Sequence, residues 1–119
     1  MWTTRFPIVE VDEPAWIDFA QISNTTTVDL IVGRRRGGIE WHQAPGTFLY
    51  SPRWRRFTAA DAQLAPAPSA GLAADVDGDG AAEIVYADAK LRQVALLKSP
   101  TGRRRQRWDA LLLRHDTKE

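Results

Sequence analysis

Three tryptophans at nearly equal spacing divide the chain into segments that resemble one another. Trp2, Trp54 and Trp108 lie 52 and 54 residues apart. After Trp2 and after Trp54 come a basic stretch, a gap containing Pro and Ala, an apolar run, a polar loop and a second apolar run. Self-similarity at a period near 50 residues is typical of stacked units that cannot bury an apolar face alone. The repeat therefore predicts a modular fold whose function depends on what completes it.

Short apolar runs within the repeat match at consistent offsets. The matched pairs are residues 17–22 with 71–76, 28–33 with 82–87, and, after a one-residue insertion, 39–41 with 94–96. Each run is rich in Ile, Val, Leu or aromatic residues and is bordered by Gly, Pro, Asn or Asp, which is typical of strands. Gly37 and Gly38 supply the positive φ that a tight hairpin turn needs.

Each repeat is predicted to contribute four short antiparallel strands, with the last strand opening at the next Trp. We expect repeat one at residues 2–53, repeat two at 54–107, and either the start of a third repeat or a closing strand at 108–119. Residues 1–119 then form one two-blade unit, because four-stranded meanders of this length arranged radially are propeller blades. The predicted fold class is all-β.

An acidic loop lies between the first two predicted strands of repeat two. It reads D-x-D-x-D-G-x-x-E, and its candidate cation ligands are Asp75, Asp77, Asp79, the carbonyl of Ala81, and Glu83. Carboxylates at alternate positions followed by Gly form an oxygen cage of the kind that Ca²⁺ prefers. The twelfth position, where an EF-hand needs a bidentate acid, is Tyr86. A metal-free turn is the alternative, because Asp side chains also accept backbone N–H bonds in turns.

This strand–DxDxDG–strand unit resembles the FG-GAP and VCBS repeats of integrin-type β-propellers. The flanking GLAADVDGDG and AEIVYA, and the Trp that opens each outer strand, are similar to the same family. The resemblance implies a propeller in which the loop joins the first two strands of a blade and holds structural Ca²⁺. Glu83 stands where the family usually has Asp, and the matching loop of repeat one keeps only its final acid, Asp29.

The composition restricts the other functional classes. The chain has no Cys, which excludes disulfides and thiolate metal sites. Most Arg residues fall in three clusters, at 34–36, 53–56 and 103–107, but the net charge is only +1. Such clusters are either polyanion sites or solvated, ion-paired loops. The near-zero net charge favours the second interpretation, so we expect no nucleic acid partner.

No catalytic constellation is apparent in the sequence. Of the two histidines, His42 follows Trp41 at the end of a predicted strand and His115 lies in the tail, and both are expected at the surface or packed at strand ends. The sequence contains no G-x-S-x-G nucleophile elbow. We therefore expect no enzyme, but a propeller scaffold that binds a protein or a glycan. The alternative is a carbohydrate-binding lectin that uses tryptophans and polar groups between blades, although such tryptophans more often pack in cores.

Two blades cannot close a ring, since propellers have about four to eight. We expect the chain to be its own partner, with a homotrimer of six blades favoured over a tetramer of eight. The competing interpretation is a fragment of a longer propeller. No apolar run reaches the roughly 20 residues of a membrane span, and the N-terminus lacks a signal-peptide core. The compartment stays open, although the family resemblance implies an extracellular or periplasmic protein.

Overall fold

A computed structural model describes residues 9–22, 28–44, 54–76, 78 and 82–98, and the backbone of 109–115. The prediction of an all-β chain is confirmed, and no helix occurs in these ranges. Eight strands form two antiparallel sheets, with the orders β1-β2-β3-β4 and β5-β6-β7-β8. The strands are β1 (Pro14–Ala20), β2 (Asp29–Arg34), β3 (Ile39–Gln43), β4 (Arg55–Ala60), β5 (Pro68–Ala74), β6 (Glu83–Asp88), β7 (Gln93–Lys98) and β8 (Asp109–His115).

The two sheets repeat each other in register as well as in strand order. Ile17 pairs with Val32 in the first sheet, and Gly71 pairs with Tyr86 at the positions 54 residues later. A bulge follows Pro14 in β1, and an equivalent bulge follows Pro68 in β5. A second bulge recurs where the third and fourth strands of each sheet begin to pair. The one-residue insertion expected in repeat two therefore lies in the β6–β7 turn, since the register is regular on both sides of it.

The first strand of each sheet begins earlier than the sequence predicts. Strand a was expected to start at Ile17 and Gly71, but β1 and β5 start at Pro14 and Pro68. Proline is tolerated there because each strand is the outermost in its sheet and the bulge follows directly. The predicted Gly turn is confirmed, since Gly37 and Gly38 have φ of 118° and 95°.

Alternation of side chains along the strands gives each sheet two distinct faces. In the first sheet we call them the Trp16 face (Trp16, Asp18, Ile31, Trp41, Phe57) and the Ile17 face (Ile17, Phe19, Leu30, Val32, Glu40, His42). In the second sheet they are the Gly71 face (Gly71, Ala73, Ile84, Tyr86, Leu97) and the Leu72 face (Ala70, Leu72, Val85, Leu96). By the repeat offset, the Gly71 face is the counterpart of the Ile17 face, and the Leu72 face is the counterpart of the Trp16 face.

The Trp16 face of the first sheet packs on the Gly71 face of the second. One buried cluster unites residues of both faces, among them Ile31, Trp41, Ile84, Tyr86 and Leu97. The closest approach between the sheets involves β1, β2 and β5. The two sheets thus meet through faces that are not counterparts, which is a head-to-tail arrangement.

Trp16 occupies the closest part of this interface. Its ring lies over Gly33 of β2 and Gly71 of β5, and a Cβ built on either glycine would overlap the indole. Beside it, the backbone N–H of Ala73 donates to Asp18 Oδ2 at 2.8 Å, which joins the two sheets directly. Small residues therefore allow a large ring to fit between two backbones.

Replacement of Gly71 by Val tests this packing. The added side chain has to displace the Trp16 ring, so we expect a loss of about 1–3 kcal/mol in the free energy of unfolding. Ser69→Val, an exposed position on the same strand, is the matched control. Urea denaturation of both variants measures the effect, and equal midpoints for the two would contradict the placement of Trp16.

Candidate functional site

The predicted cation loop is described only in part. Asp75 and Glu83 lie in the described ranges, whereas Asp77, Asp79 and Ala81 lie outside them. Asp75 Oδ1 accepts the backbone N–H of Gly78 at 2.8 Å, and Gly78 has a φ of 77°. This contact forms the tight turn that both interpretations of the loop require. Within the described ranges, no three His, Asp or Glu side chains come together as a metal site.

Glu83 is a buried acid at the start of β6, and it closes the loop from within. Its Oε1 accepts the backbone N–H of Val76 at 2.8 Å, so the carboxylate joins the two ends of the loop. Its Oε2 is buried and has no hydrogen-bond partner among the residues the structure describes. A buried carboxylate oxygen without a partner is costly. This oxygen is therefore the strongest evidence in the described part of the loop for a further ligand.

Asp29 performs the same task in the first sheet, although its loop has no acidic repeat. Its Oδ2 accepts the N–H of Ile22, the counterpart of Val76, and its Oδ1 accepts the N–H of Ala44, both at 3.0 Å. The counterpart of Ala44 in repeat two is Ser99, which lies outside the described residues. We call this arrangement the acid clamp. Its presence in both sheets shows that the ninth position of the loop has a structural role without the other acids.

A buried polar cluster lies on the Ile17 face, where the sequence suggested only strand-end packing for His42. Glu40 Oε1 lies 3.0 Å from His42 Nε2, and Glu40 Oε2 lies 3.3 Å from the Arg34 guanidinium. Arg56 approaches the same carboxylate at 3.9 Å. The counterparts of Glu40 and His42 in the second sheet are Ala95 and Leu97, so the cluster distinguishes the two sheets.

Burial keeps His42 neutral and removes it from solvent. Burial lowers the pKa of the imidazole below its ordinary value of 6.5, and attraction to Glu40 offsets part of that effect. The residue is only 2% exposed. A general base has to come within hydrogen-bond reach of a substrate, and the burial of this ring leaves little surface for such a contact. Of the two placements expected for His42, the burial agrees with packing near a strand end rather than with a surface position.

An open groove of roughly 890 Å³ lies on the Ile17 face and adjoins the polar cluster at Arg56. Its floor is formed by side chains of β1 and β2, and one wall by the segment that precedes β1. Its lining residues are Val9, Glu10, Val11, Asp12, Pro14, Ile17, Phe19, Leu30, Val32 and Arg56. Most of these side chains are apolar, which suits contact with another apolar surface.

The first arginine cluster pairs with acids of the segment that precedes β1. Arg34 lies 3.7 Å from Asp12, and Arg36 lies 3.2 Å from Glu13. Exposed pairs of this kind contribute about 0–1 kcal/mol each. Such pairing supports the interpretation of ion-paired loops for this cluster. The cluster at residues 103–107 lies outside the described residues.

The described tryptophans are used in packing rather than as open sugar shelves. Trp41 is buried and stacks on Phe57, with ring centroids 4.5 Å apart. Trp16 lies between the sheets, and Trp54 is half-buried next to β4. Trp2 and Trp108 lie outside the described residues.

Comparisons with known protein families, curated proteins and solved structures gave no match to this chain. Among the described residues, no helix has the length and apolar character that crossing a bilayer requires.

The lowered pKa of His42 predicts a pH dependence of stability. Below pH 6.5 the unfolded chain binds a proton at His42 more readily than the folded protein does. The folding stability that neutral His42 contributes is therefore present above pH 6.5 and is lost as the pH falls through the folded-state pKa. His42→Gln keeps an N–H donor for Glu40 and removes the titration. We expect the unfolding free energy of the parent to fall more steeply between about pH 7 and 5 than that of the variant. Parallel curves from urea titrations would contradict this.

Proposed function

We propose that the chain is a non-catalytic scaffold and binding module whose two sheets are blades of a β-propeller, completed by further copies of the chain. One observation carries this proposal. The two sheets pack head to tail, through the Trp16 face of one and the Gly71 face of the other. Each chain keeps one further face of each kind, exposed along its first strand at Ile17 and Phe19 of β1 and at Leu72 of β5, and the same operation adds a further chain.

The shape of the pairing supports the proposal. The sheets approach most closely between β1 and β5, the first strand of each meander, with β2 also in contact with β5. In a propeller the first strands converge on the central axis and the last strands lie at the rim. A head-to-tail contact that repeats by rotation closes into a ring, whereas one that does not close continues as a filament.

The loops supply the surface on which such a scaffold binds its ligand. The ring that we favour is the trimer of six blades, with the tetramer of eight as the alternative. A carbohydrate-binding lectin draws less support, because Trp16 and Trp41 are engaged in packing. A glycan array separates the two functions, since reproducible glycan hits favour the lectin.

The mass in solution tests the ring. We expect light scattering coupled to size exclusion to give three times the chain mass of 13.3 kDa, independent of loading concentration. Four times that mass selects the tetramer. A well-behaved monomer at 13.3 kDa contradicts the ring.

A second candidate function is a structural Ca²⁺ site at the acidic loop. Glu83 Oε2 supports it, because this buried oxygen has no hydrogen-bond partner among the described residues and a cation that prefers oxygen ligands would satisfy it. Asp75, Asp77, Asp79 and Glu83 would hold the ion with the carbonyl of Ala81. Its contribution there would be to fix the loop between β5 and β6.

Thermal melting tests the cation site. A ligand that binds only the folded state adds about 2.7 kcal/mol when present at a hundred times its Kd. We expect excess Ca²⁺ to raise the melting temperature, EDTA to lower it, and Asp77→Ala to abolish both responses. Asp12→Ala, an exposed acid away from the loop, is the control and should keep both. An unchanged melting temperature with Ca²⁺ and EDTA would favour the metal-free turn.

A further inference from the structure

The two faces outside the shared core are largely buried on their inner strands but exposed on their first strands, β1 and β5. These first strands carry the most exposed large apolar side chains among the described strand residues. On the Ile17 face, Ile17 is 57% and Phe19 is 46% exposed, and on the Leu72 face Leu72 is 51% exposed. Soluble proteins rarely leave contiguous apolar patches of this kind uncovered. The repeat itself supplies a template for what covers them, because the counterparts of both faces are already packed together inside the chain.

The residues that meet between two copies are predicted by replacing each residue of the internal contact with its counterpart in the other repeat. Inside the chain, Trp16 lies over Gly71, a large residue over a small one. The counterpart of Trp16 is Ala70, and the counterpart of Gly71 is Ile17. Between copies the sizes are therefore exchanged, with the small Ala70 of one copy opposite the large Ile17 of the next. The total volume at this layer is roughly preserved, which is what tolerated core changes require.

The neighbouring pair, Asp18 and Ala73, also changes in size between repeats, and its hydrogen bonds explain why. Inside the chain, Asp18 Oδ2 accepts the partly buried backbone N–H of Ala73 on the edge strand β5. The counterparts of Asp18 and Ala73 are Leu72 and Phe19. The edge N–H of Phe19 already donates to Asp18 Oδ1 of its own strand at 2.8 Å. No acid is needed at position 72, so that position is free to be apolar and to contact the Phe19 ring.

From these compensations we infer that a second copy of this chain docks its Leu72 face onto the Ile17 face, with Ala70 against Ile17 and Leu72 against Phe19. The contact is heterologous, since each copy gives one face and receives the other. In this arrangement the incoming β5 occupies the groove in front of β1 and β2. This inference rests on the proposed function, and it specifies the partner, the register and the direction of assembly.

Complementation between two blocked variants tests the inference. Ile17→Asp blocks only the receiving face, and Leu72→Asp blocks only the docking face. Each variant alone should be a monomer of 13.3 kDa, because every contact needs one face of each kind. Mixed in equal amounts, they should form a 1:1 dimer, since one intact face of each kind remains in the mixture. Leu64→Asp, an exposed apolar residue on the turn before β5, is the control and should keep the parent mass.

The outcomes separate this inference from the ring. Retention of the parent mass by either variant, or a mixture that stays monomeric, overturns the face pairing even if the parent is a closed oligomer. If the two variants form a mixed dimer but the unmodified protein has no single oligomeric mass, the face pairing is supported and the closed ring is overturned. If Ile17→Asp does not unfold cooperatively, Phe19→Asp replaces it as the variant with a blocked receiving face. A self-pairing of like faces would leave one variant dimeric alone, which also overturns the inference.

Discussion

The contact of the Trp16 ring with two glycine backbones determines how the two sheets meet. An indole buries on the order of 200 Å² when fully enclosed, and the partly buried Trp16 ring fits here only because Gly33 and Gly71 have no side chains. Its buried Nε1 has no hydrogen-bond partner among the described residues. Packing therefore outweighs a polar cost of about 1–3 kcal/mol at this point. The head-to-tail orientation, the shared core and the identity of the open faces all follow from this placement.

Much of the fold was predictable because the repeat is local in sequence. The second and third strands of each repeat, the Gly37–Gly38 turn and the one-residue insertion follow from apolar runs and turn residues. The early starts at Pro14 and Pro68 were missed, because proline marks a strand end when its position in the sheet is unknown. The direction in which the sheets pack was not predictable, since it depends on contacts between residues about 55 apart, such as Asp18 and Ala73.

The candidate sites also differ in how far the sequence alone predicts them. The acidic loop is a local pattern that the sequence alone predicts. The role of Glu83 is not local, because it depends on the hydrogen bond from the Val76 N–H, which Asp29 repeats with the Ile22 N–H. The Glu40–His42 pair was missed as a cluster. Polar residues alternating with Ile39 and Trp41 in a strand indicate a solvent-facing side, whereas here Arg34 and Arg56 approach the carboxylate and the pair is buried. An excess of Arg on the neighbouring strands was the only available signal.

The acid clamp has a consequence for how this architecture tolerates sequence change. In the first sheet, the Asp29 carboxylate accepts hydrogen bonds from Ile22, before β2, and from Ala44, after β3. In the second sheet, Glu83 accepts the equivalent hydrogen bond from Val76, before β6. Between the clamped ends the two repeats have no residue in common at matching positions, since repeat one carries Ser-Asn-Thr-Thr-Thr and repeat two carries Asp-Gly-Asp-Gly-Ala. We therefore expect these two loops to be positions where new recognition sequences can be grafted at a small cost to the sheets, because loops tolerate variation better than the strands they connect.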